Sequence, residues 1–143
     1  MVLLGVNLWS VLAAAVAAMI VGFLWYSPAL FAKPWTLAMG YDPEDKPKME
    51  EQRKGAGRMY GIAFLVSLIT AFVLGKIIYT FTINSPLYGM KVGLAAWAGF
   101  VMPVQLTDQM FGRRPFRLFL INTGYQLVCL LAMGAILGPF SGA

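Results

Sequence analysis

Four long apolar stretches dominate the chain. They cover residues 3–25, 59–83, 87–110 and 118–140, and each approaches or exceeds the roughly 20 apolar residues that an α-helix needs to cross a hydrocarbon core about 30 Å thick. Residues 11–20 lack the period-two alternation of apolar and polar side chains that a membrane-spanning β-strand would need. The pattern therefore predicts an all-α integral membrane protein, a bundle of four transmembrane helices that forms one membrane domain over residues 1–143.

Composition agrees with this pattern. Of the 143 residues, 59% are hydrophobic and 12% are charged, whereas soluble domains average about 25% charged residues. A secretory signal is the alternative for the first stretch, but no Lys or Arg precedes Lys33, and the stretch is longer than the roughly 7 to 15 apolar residues of a signal peptide. We therefore expect an uncleaved helix, followed by a loop over residues 33–58.

The positions of Lys and Arg predict an orientation. Nine basic residues fall in the loops after the first and third stretches, and by the positive-inside rule these loops are cytoplasmic and both termini lie outside. Lys76 and Lys91 lie on the opposite side, where we expect them to extend toward the headgroups, the alternative being a role in an outer vestibule. The nine are Lys33, Lys46, Lys48, Arg53, Lys54, Arg58, Arg113, Arg114 and Arg117.

Aromatic residues and prolines cluster where the first stretch ends, in the sequence WYSPALFAKPW at residues 25–35. Aromatic rings are enriched at the membrane border, so this segment predicts an interfacial anchor with a short interfacial helix. The alternative is a groove for a lipid or a partner, formed with the end of the hairpin between the third and fourth helices. The anchor or lipid-contact residues are Trp25, Tyr26, Phe31, Lys33, Trp35, Arg113, Arg114 and Arg117.

Small residues recur every four positions on three helices. In lipid, small residues let two helix backbones approach closely, so we expect the first two helices to pack face to face. Gly134 and Gly138 on the fourth helix serve either the same bundle or a homo-oligomer. The two longer stripes are Ser10, Ala14, Ala18 and Gly22, and Ala63, Ser67, Ala71 and Gly75.

Prolines mark the predicted starts and irregularities of the helices. Ser27-Pro28 and Ser85-Pro86 each place a capping hydroxyl before a proline suited to the first helical position. Pro115 is a similar start for the fourth helix. Pro103 frees a backbone carbonyl one turn earlier, which predicts a kink beside Gln105.

Polar side chains recur with i, i+3, i+4 spacing on the third and fourth helices, and each set shares one helix face. In an antiparallel hairpin that turns near residues 114–116, Gln109 lies about level with Asn122. We expect interhelical hydrogen bonds and an ion pair between Asp108 and a border arginine, the alternative being a polar pocket or a proton-accepting site. The two sets are Gln105, Asp108 and Gln109, and Asn122, Tyr125 and Gln126.

Missing residue types argue against several kinds of chemistry. The chain has no histidine and one cysteine, Cys129, so the usual ligands for zinc, haem and thiolate cages are absent, and we predict no metal and no cofactor. No serine or threonine has an identifiable base partner. The net charge of +5 is spread along membrane borders, which predicts contact with anionic lipid headgroups rather than with nucleic acid.

Several segments along the chain together carry a family resemblance. They are NLW at 7–9, GFLWYSP at 22–28, Leu30-Phe31, Trp35, Arg114-Pro115, LFLINTGY at 118–125 and MGAILG at 133–138. With these segments the chain resembles, over essentially its whole length, a small integral-membrane family known as domain of unknown function 1761. The resemblance implies a four-helix membrane protein of bacterial type, and hence the bacterial cytoplasmic membrane, and it supplies no activity.

Three functional hypotheses follow. The favoured one is a non-enzymatic structural or accessory bundle that acts as a homo-oligomer or as a subunit of a larger membrane complex. The second is a small oligomeric transporter or channel with a polar path between the third and fourth helices. The third is a lipid- or quinone-directed membrane enzyme with Asp108 as acid or base, which a single acid at a helix border supports only thinly.

Overall fold

A computed structural model describes residues 2–3, 6–26, 34, 37, 56–113 and 115–140, and these are predominantly helical. Four spans are long and apolar enough to cross a membrane: Leu8–Trp25, Gly57–Thr80, Pro86–Gly112 and Phe116–Leu137. The predicted fold class is therefore confirmed, and the spans indicate a multi-pass membrane protein. The predicted interfacial helix falls on residues outside the described ranges. The helices are α1 (Leu8–Trp25), α2 (Ala56–Thr80), α3 (Pro86–Ala96), α4 (Met102–Gly112) and α5 (Phe116–Leu137).

The first helix begins later than the apolar pattern predicts. Two short strands, β1 (Val2–Leu3) and β2 (Val6–Asn7), pair in antiparallel fashion before it. Asn7 then caps α1, because its Oδ1 accepts a hydrogen bond from the Trp9 N–H at 3.0 Å. Hydropathy alone places the start at residue 3 because it does not register a capping side chain.

The connection between α2 and α3 is set by local backbone geometry. The helix α2 ends at Thr80, and Thr82 has a positive φ of 54°, so the span stops short of the predicted residue 83. Pro86 occupies the first position of α3 as predicted, but the Ser85 hydroxyl makes no capping hydrogen bond. Ser85 is therefore the N-cap residue by position, but its side chain does not make the expected capping contact.

The third span contains an irregular turn. A π-helical turn, Trp97–Val101, joins α3 to α4, and the Met102 N–H bonds to the Trp97 carbonyl. Pro103 follows directly, and its ring displaces the carbonyl four residues earlier from a regular helical position. The π-helical turn therefore ends four residues before Gln105, and the kink predicted beside Gln105 itself stays a prediction.

The closest helix contact joins α3 to α5 through glycines. A Cβ at Gly89 would overlap the Gly134 carbonyl, and a Cβ at Gly93 would overlap the Leu130 carbonyl. A Cβ at Gly138 would overlap the Ser85 carbonyl in the same way. We call this contact the glycine seam (Gly89, Gly93, Gly134 and Gly138), and it gives Gly134 and Gly138 a partner within the chain.

The stripe on α1 contacts both α2 and α5. Ala14, Ala18 and Ala71 are fully or almost fully buried in the core, and the Cys129 thiol on α5 donates to the Ala18 carbonyl at 3.9 Å. Ala63 is exposed. The expected face-to-face packing of α1 and α2 therefore holds only for the second half of the α2 stripe.

The two ends of the molecule differ in packing. We name them the Gly138 end, where α1 and α3 begin and α2 and α5 finish, and the Trp25 end opposite. The buried residues of α2 lie near the Gly138 end, from Ala71 to Ile78. No described residue between 57 and 70 or between 94 and 113 is buried. The packed core therefore lies toward the Gly138 end.

Candidate functional site

Two side-chain hydrogen bonds join the end of α1 to α5. The Trp25 Nε1–H donates to the Ile121 carbonyl at 3.0 Å, and the Tyr26 hydroxyl donates to Asn122 Oδ1 at 2.8 Å. The rings of Tyr26 and Tyr125 meet edge to face with centroids 5.2 Å apart. We call Trp25, Tyr26, Asn122 and Tyr125 the aromatic corner. It brings together two residues predicted as an interfacial anchor and two predicted as a polar helix face.

Two glycines make room for the aromatic corner. A Cβ at Gly22 would lie 3.2 Å from the Tyr125 hydroxyl oxygen, and a Cβ at Gly124 would lie 3.1 Å from the Trp25 ring. Both distances are tighter than ordinary van der Waals contact, so each glycine allows one ring to lie close to a helix backbone. Gly22 and Gly124 therefore shape the aromatic corner as much as its aromatic side chains do.

The Tyr26 hydroxyl acts as a donor because it keeps its proton. Burial raises the pKa of this phenol, which directly follows the first span, and Cys129 adds a smaller contribution in the same direction. A protonated phenol beside an amide oxygen supplies the hydrogen that the Asn122 Oδ1 accepts. The contact is consequently a neutral hydrogen bond that does not titrate near pH 7.

The polar residues of α4 lie apart from the aromatic corner. Gln105 is half-buried, and its Oε1 is buried without a hydrogen-bond partner in the described part of the chain. Asp108 is exposed, and it forms no ion pair with Arg113, Arg117 or any other described residue. Gln109 is half-buried and has a partner. The expected ion pair between Asp108 and a border arginine is therefore absent from the described residues.

Two described hydrogen bonds join this part of α5 to α1 and to the π-helical turn. Asn122 bonds to Tyr26. The neighbouring Thr123 carbonyl accepts from the Trp97 Nε1–H at 2.9 Å, and Trp97 lies in the π-helical turn, well before Gln109 in α4. Gln126 is half-buried on α5. The level placement of Gln109 with Asn122 stays a prediction.

The remaining predicted anchor residues divide into described and undescribed positions. Arg117 is exposed in the first turn of α5, and Arg113 is exposed at the end of α4 with a left-handed φ of 52°. Phe31, Lys33, Trp35 and Arg114 lie outside the described residues.

A surface groove opens beside the aromatic corner. It has a volume of about 450 Å³. Among its described lining residues most groups are apolar, and the charged one is the Arg117 guanidinium. Its lining residues are Trp25, Pro34, Arg117, Leu120 and Ile121. The groove therefore joins the end of α1 to the start of α5.

The side chains of Lys76 and Lys91 extend toward the Gly138 end. The Lys76 ammonium lies 5.0 Å from the centroid of the Tyr79 ring, and the Lys91 ammonium lies 4.7 Å from that of Tyr88. Each tyrosine is one helical turn nearer the Gly138 end than its lysine. This direction agrees with the predicted extension of both side chains toward the headgroups.

Sequence reasoning missed several residues that shape this region. Trp97 lies in an apolar window, and nothing in its neighbourhood marks the Thr123 carbonyl as its acceptor. Gly22 was counted only as part of a small-residue stripe, although it packs against Tyr125. The available signal was the composition of two segments that contain aromatic residues and glycine. Trp25 and Tyr26 are neighbours in one of them, and Asn122 and Gly124 lie two residues apart in the other.

The geometry contains no arrangement typical of a metal centre in the described residues, where no three His, Cys, Asp or Glu side chains gather. The contacts among the described residues fix helices to one another and leave a groove with the Arg117 cation at its rim. This arrangement can hold an amphipathic molecule or a protein partner.

Comparison with known proteins identifies a family. No curated protein and no solved structure matches the chain. The model of a family described as protein of unknown function (DUF1761) matches residues 9–138, which include the aromatic corner, the glycine seam and every residue of the four spans except Leu8. The chain therefore belongs to the DUF1761 family.

Proposed function

We propose that the protein is a non-enzymatic accessory protein of the bacterial cytoplasmic membrane, which spans it four times with both termini outside and works as a homo-oligomer. Support for the orientation comes from Arg58, Arg113 and Arg117 at the Trp25 end, because basic residues concentrate on the cytoplasmic side. The Gly138 end has Lys76 and Lys91. A phosphatase fused to the C-terminus should be active outside the cytoplasm, and activity only of a cytoplasmic reporter would overturn this orientation.

The exposure of Asp108 carries the proposal of an oligomer. Asp108 shares a helix face with Val104 and Phe111, whose side chains are 66% and 86% exposed. Carboxylates in spanning helices almost always face the interior of a bundle or a charged partner. Asp108 projects from an apolar outward face near the Trp25 end, so a partner that covers α4 would supply the counter-charge that the described residues of its own chain do not.

A second copy of the chain fits this face best. Two copies inserted with the same orientation place the same residues at the same depth, around an axis perpendicular to the membrane. Asp108 of one copy then lies within one to two turns of the depth of Arg113 of the other, a separation that an arginine side chain can bridge. Charge complementarity between Asp108 and Arg113 therefore favours self-association through α4.

A charge exchange tests this interface. D108R and R113D should each weaken self-association in lipid vesicles by about tenfold or more, and the double variant D108R/R113D should restore it. The matched control is T107V, since the Thr107 hydroxyl bonds within its own helix to the Pro103 carbonyl at 2.9 Å. Single-molecule photobleaching over a range of protein-to-lipid ratios measures the association. A wild-type protein that stays monomeric throughout would overturn the proposal.

One observation favours the second functional hypothesis, an oligomeric transporter. The buried Oε1 of Gln105 lacks a described partner, and water in a path would satisfy it. Single cysteines at 105, 109, 122 and 126, in a Cys129→Ala background, test for such a path with a membrane-impermeant thiol reagent. Uniformly unreactive cysteines would exclude the transporter. Labelling at position 105 that the D108N substitution blocks would support the transporter over the accessory role.

A further inference from the structure

The groove at the aromatic corner combines an apolar wall with the Arg117 cation, both from the described part of the chain. Trp25 forms the wall, and its orientation is fixed by the hydrogen bond from its Nε1–H to the Ile121 carbonyl at 3.0 Å. The Trp25 ring also lies against Gly124, where a Cβ would come within 3.1 Å of it. The wall is thus in place before any ligand arrives, which lowers the entropy cost of binding.

Arg117 supplies the charge at the rim. It is exposed, and it forms no ion pair or hydrogen bond with another described residue. The first turn of α5 has no acidic residue. A guanidinium presents paired donors that match the oxygens of a phosphate group, so the rim is complementary to a phosphate or phosphodiester anion.

The apolar part of the groove continues along α5 away from the rim. Leu120 and Ile121 line it, and Leu120 is 53% exposed. Trp25 is the last residue of α1 and Arg117 is the second residue of α5, so both lie at the same membrane border. The charged rim therefore lies at headgroup depth, and the apolar wall extends toward the acyl chains.

We propose that this groove binds one anionic phospholipid of the leaflet that borders the Trp25 end. The phosphodiester lies on the Arg117 guanidinium, and the first part of an acyl chain packs between Trp25 and Leu120. This site uses neither Asp108 nor Arg113, so it does not depend on the proposed oligomer.

Native mass spectrometry of the full-length protein in detergent, titrated with phosphatidylglycerol or phosphatidylcholine, tests the site. The wild type should bind phosphatidylglycerol at least about tenfold more tightly than phosphatidylcholine, and R117Q should remove most of that preference. R117K keeps the charge but loses the paired donors, so it should fall between the two. The matched control is R58Q, which removes an exposed arginine from the same end outside the groove.

Two further measurements separate the possible sources of the effect. Filling the groove with L120W should weaken binding of both lipids while R117 is retained, and an unchanged affinity would overturn the proposal. Millimolar inorganic phosphate should not displace the lipid, and displacement would indicate a site for free phosphate instead. Equal losses of the preference for phosphatidylglycerol in R117Q and R58Q would mean that diffuse positive charge, and not the groove, binds the lipid. That result would also overturn the proposal. Failure of the oligomer proposal would appear only in the Asp108 and Arg113 variants.

Discussion

The hydroxyl of Tyr26 donates to Asn122 Oδ1 across 2.8 Å and joins segments that lie 96 residues apart. Together with the bond from Trp25 to the Ile121 carbonyl, it fixes the end of α1 to α5. The paired positions lie in the WYSP and INTGY segments, which carried the family resemblance in the sequence. The two segments that make the sequence recognisable are therefore in contact with each other.

Removing the Tyr26 hydroxyl should destabilise the protein. Tyr26→Phe leaves the Asn122 Oδ1 without its donor, and we expect a loss of about 1 to 2 kcal/mol in the free energy of unfolding. Unfolding by sodium dodecyl sulfate in mixed micelles measures it. Tyr60→Phe is the control, because Tyr60 is exposed and contacts the Phe23 ring through its own ring. Equal stability of both variants would mean that the Tyr26 bond contributes nothing.

Adding one methyl group to the glycine seam should be far more damaging. In Gly89→Ala the new Cβ would overlap the Gly134 carbonyl, and backbone cannot move aside as a flexible side chain does. We expect a loss of about 3 kcal/mol or more, or failure to fold. Gly61→Ala is the control, since no described atom outside the neighbouring backbone of its own helix lies within 4 Å of that Cβ, and this change should be neutral or stabilise α2 by up to about 1 kcal/mol. A well-folded Gly89→Ala protein with wild-type stability would contradict the seam.

Two candidate helix caps should respond differently to alanine. Asn7→Ala removes the acceptor of the Trp9 N–H and should cost about 1 kcal/mol in unfolding free energy. Ser85→Ala should change it by only a few tenths, because the Ser85 hydroxyl makes no cap bond. The same detergent titration compares them. A larger effect at Ser85 than at Asn7 would show that position alone, and not the observed contact, identifies a cap.

The thiol of Cys129 should be protected in the folded protein. Cys129 is buried, and its thiol donates to the Ala18 carbonyl, so a maleimide reagent should modify it slowly until the helices separate. A cysteine at the exposed position 80, introduced as T80C in a Cys129→Ala background, should react much faster. Mass spectrometry over time measures both rates. Rapid modification of Cys129 in the native protein would contradict the close packing of α1 on α5.

Much of the fold could be predicted because hydropathy and helix-breaking residues act locally. The four spans, the start of α3 at Pro86 and the irregularity near Pro103 depend on neighbouring residues. The choice of which helix packs against which does not depend on neighbouring residues in this way. Small residues recur on several helices, so the sequence could not indicate that Gly134 faces Gly89, and the contribution of α3 to the seam was overlooked.

The candidate site was predicted only in part for the same reason. Tyr26, Asn122 and Tyr125 were each singled out, but Asn122 was assigned to the neighbouring helix of the hairpin. The Asn122 Oδ1 accepts instead from Tyr26 in a distant segment, and no local pattern encodes that donor.

The glycine seam also determines where the cost of ordering the chain falls. Glycines have no side-chain rotamers to lose when helices come together, so the contact of α3 with α5 forms with little loss of rotational freedom beyond that of the backbone. At the aromatic corner, by contrast, two tyrosines and a tryptophan must each give up several rotamers for their contacts. At the seam the cost therefore falls on the backbone, because glycine loses more backbone freedom on folding than any other residue, whereas at the aromatic corner it falls on side-chain rotamers.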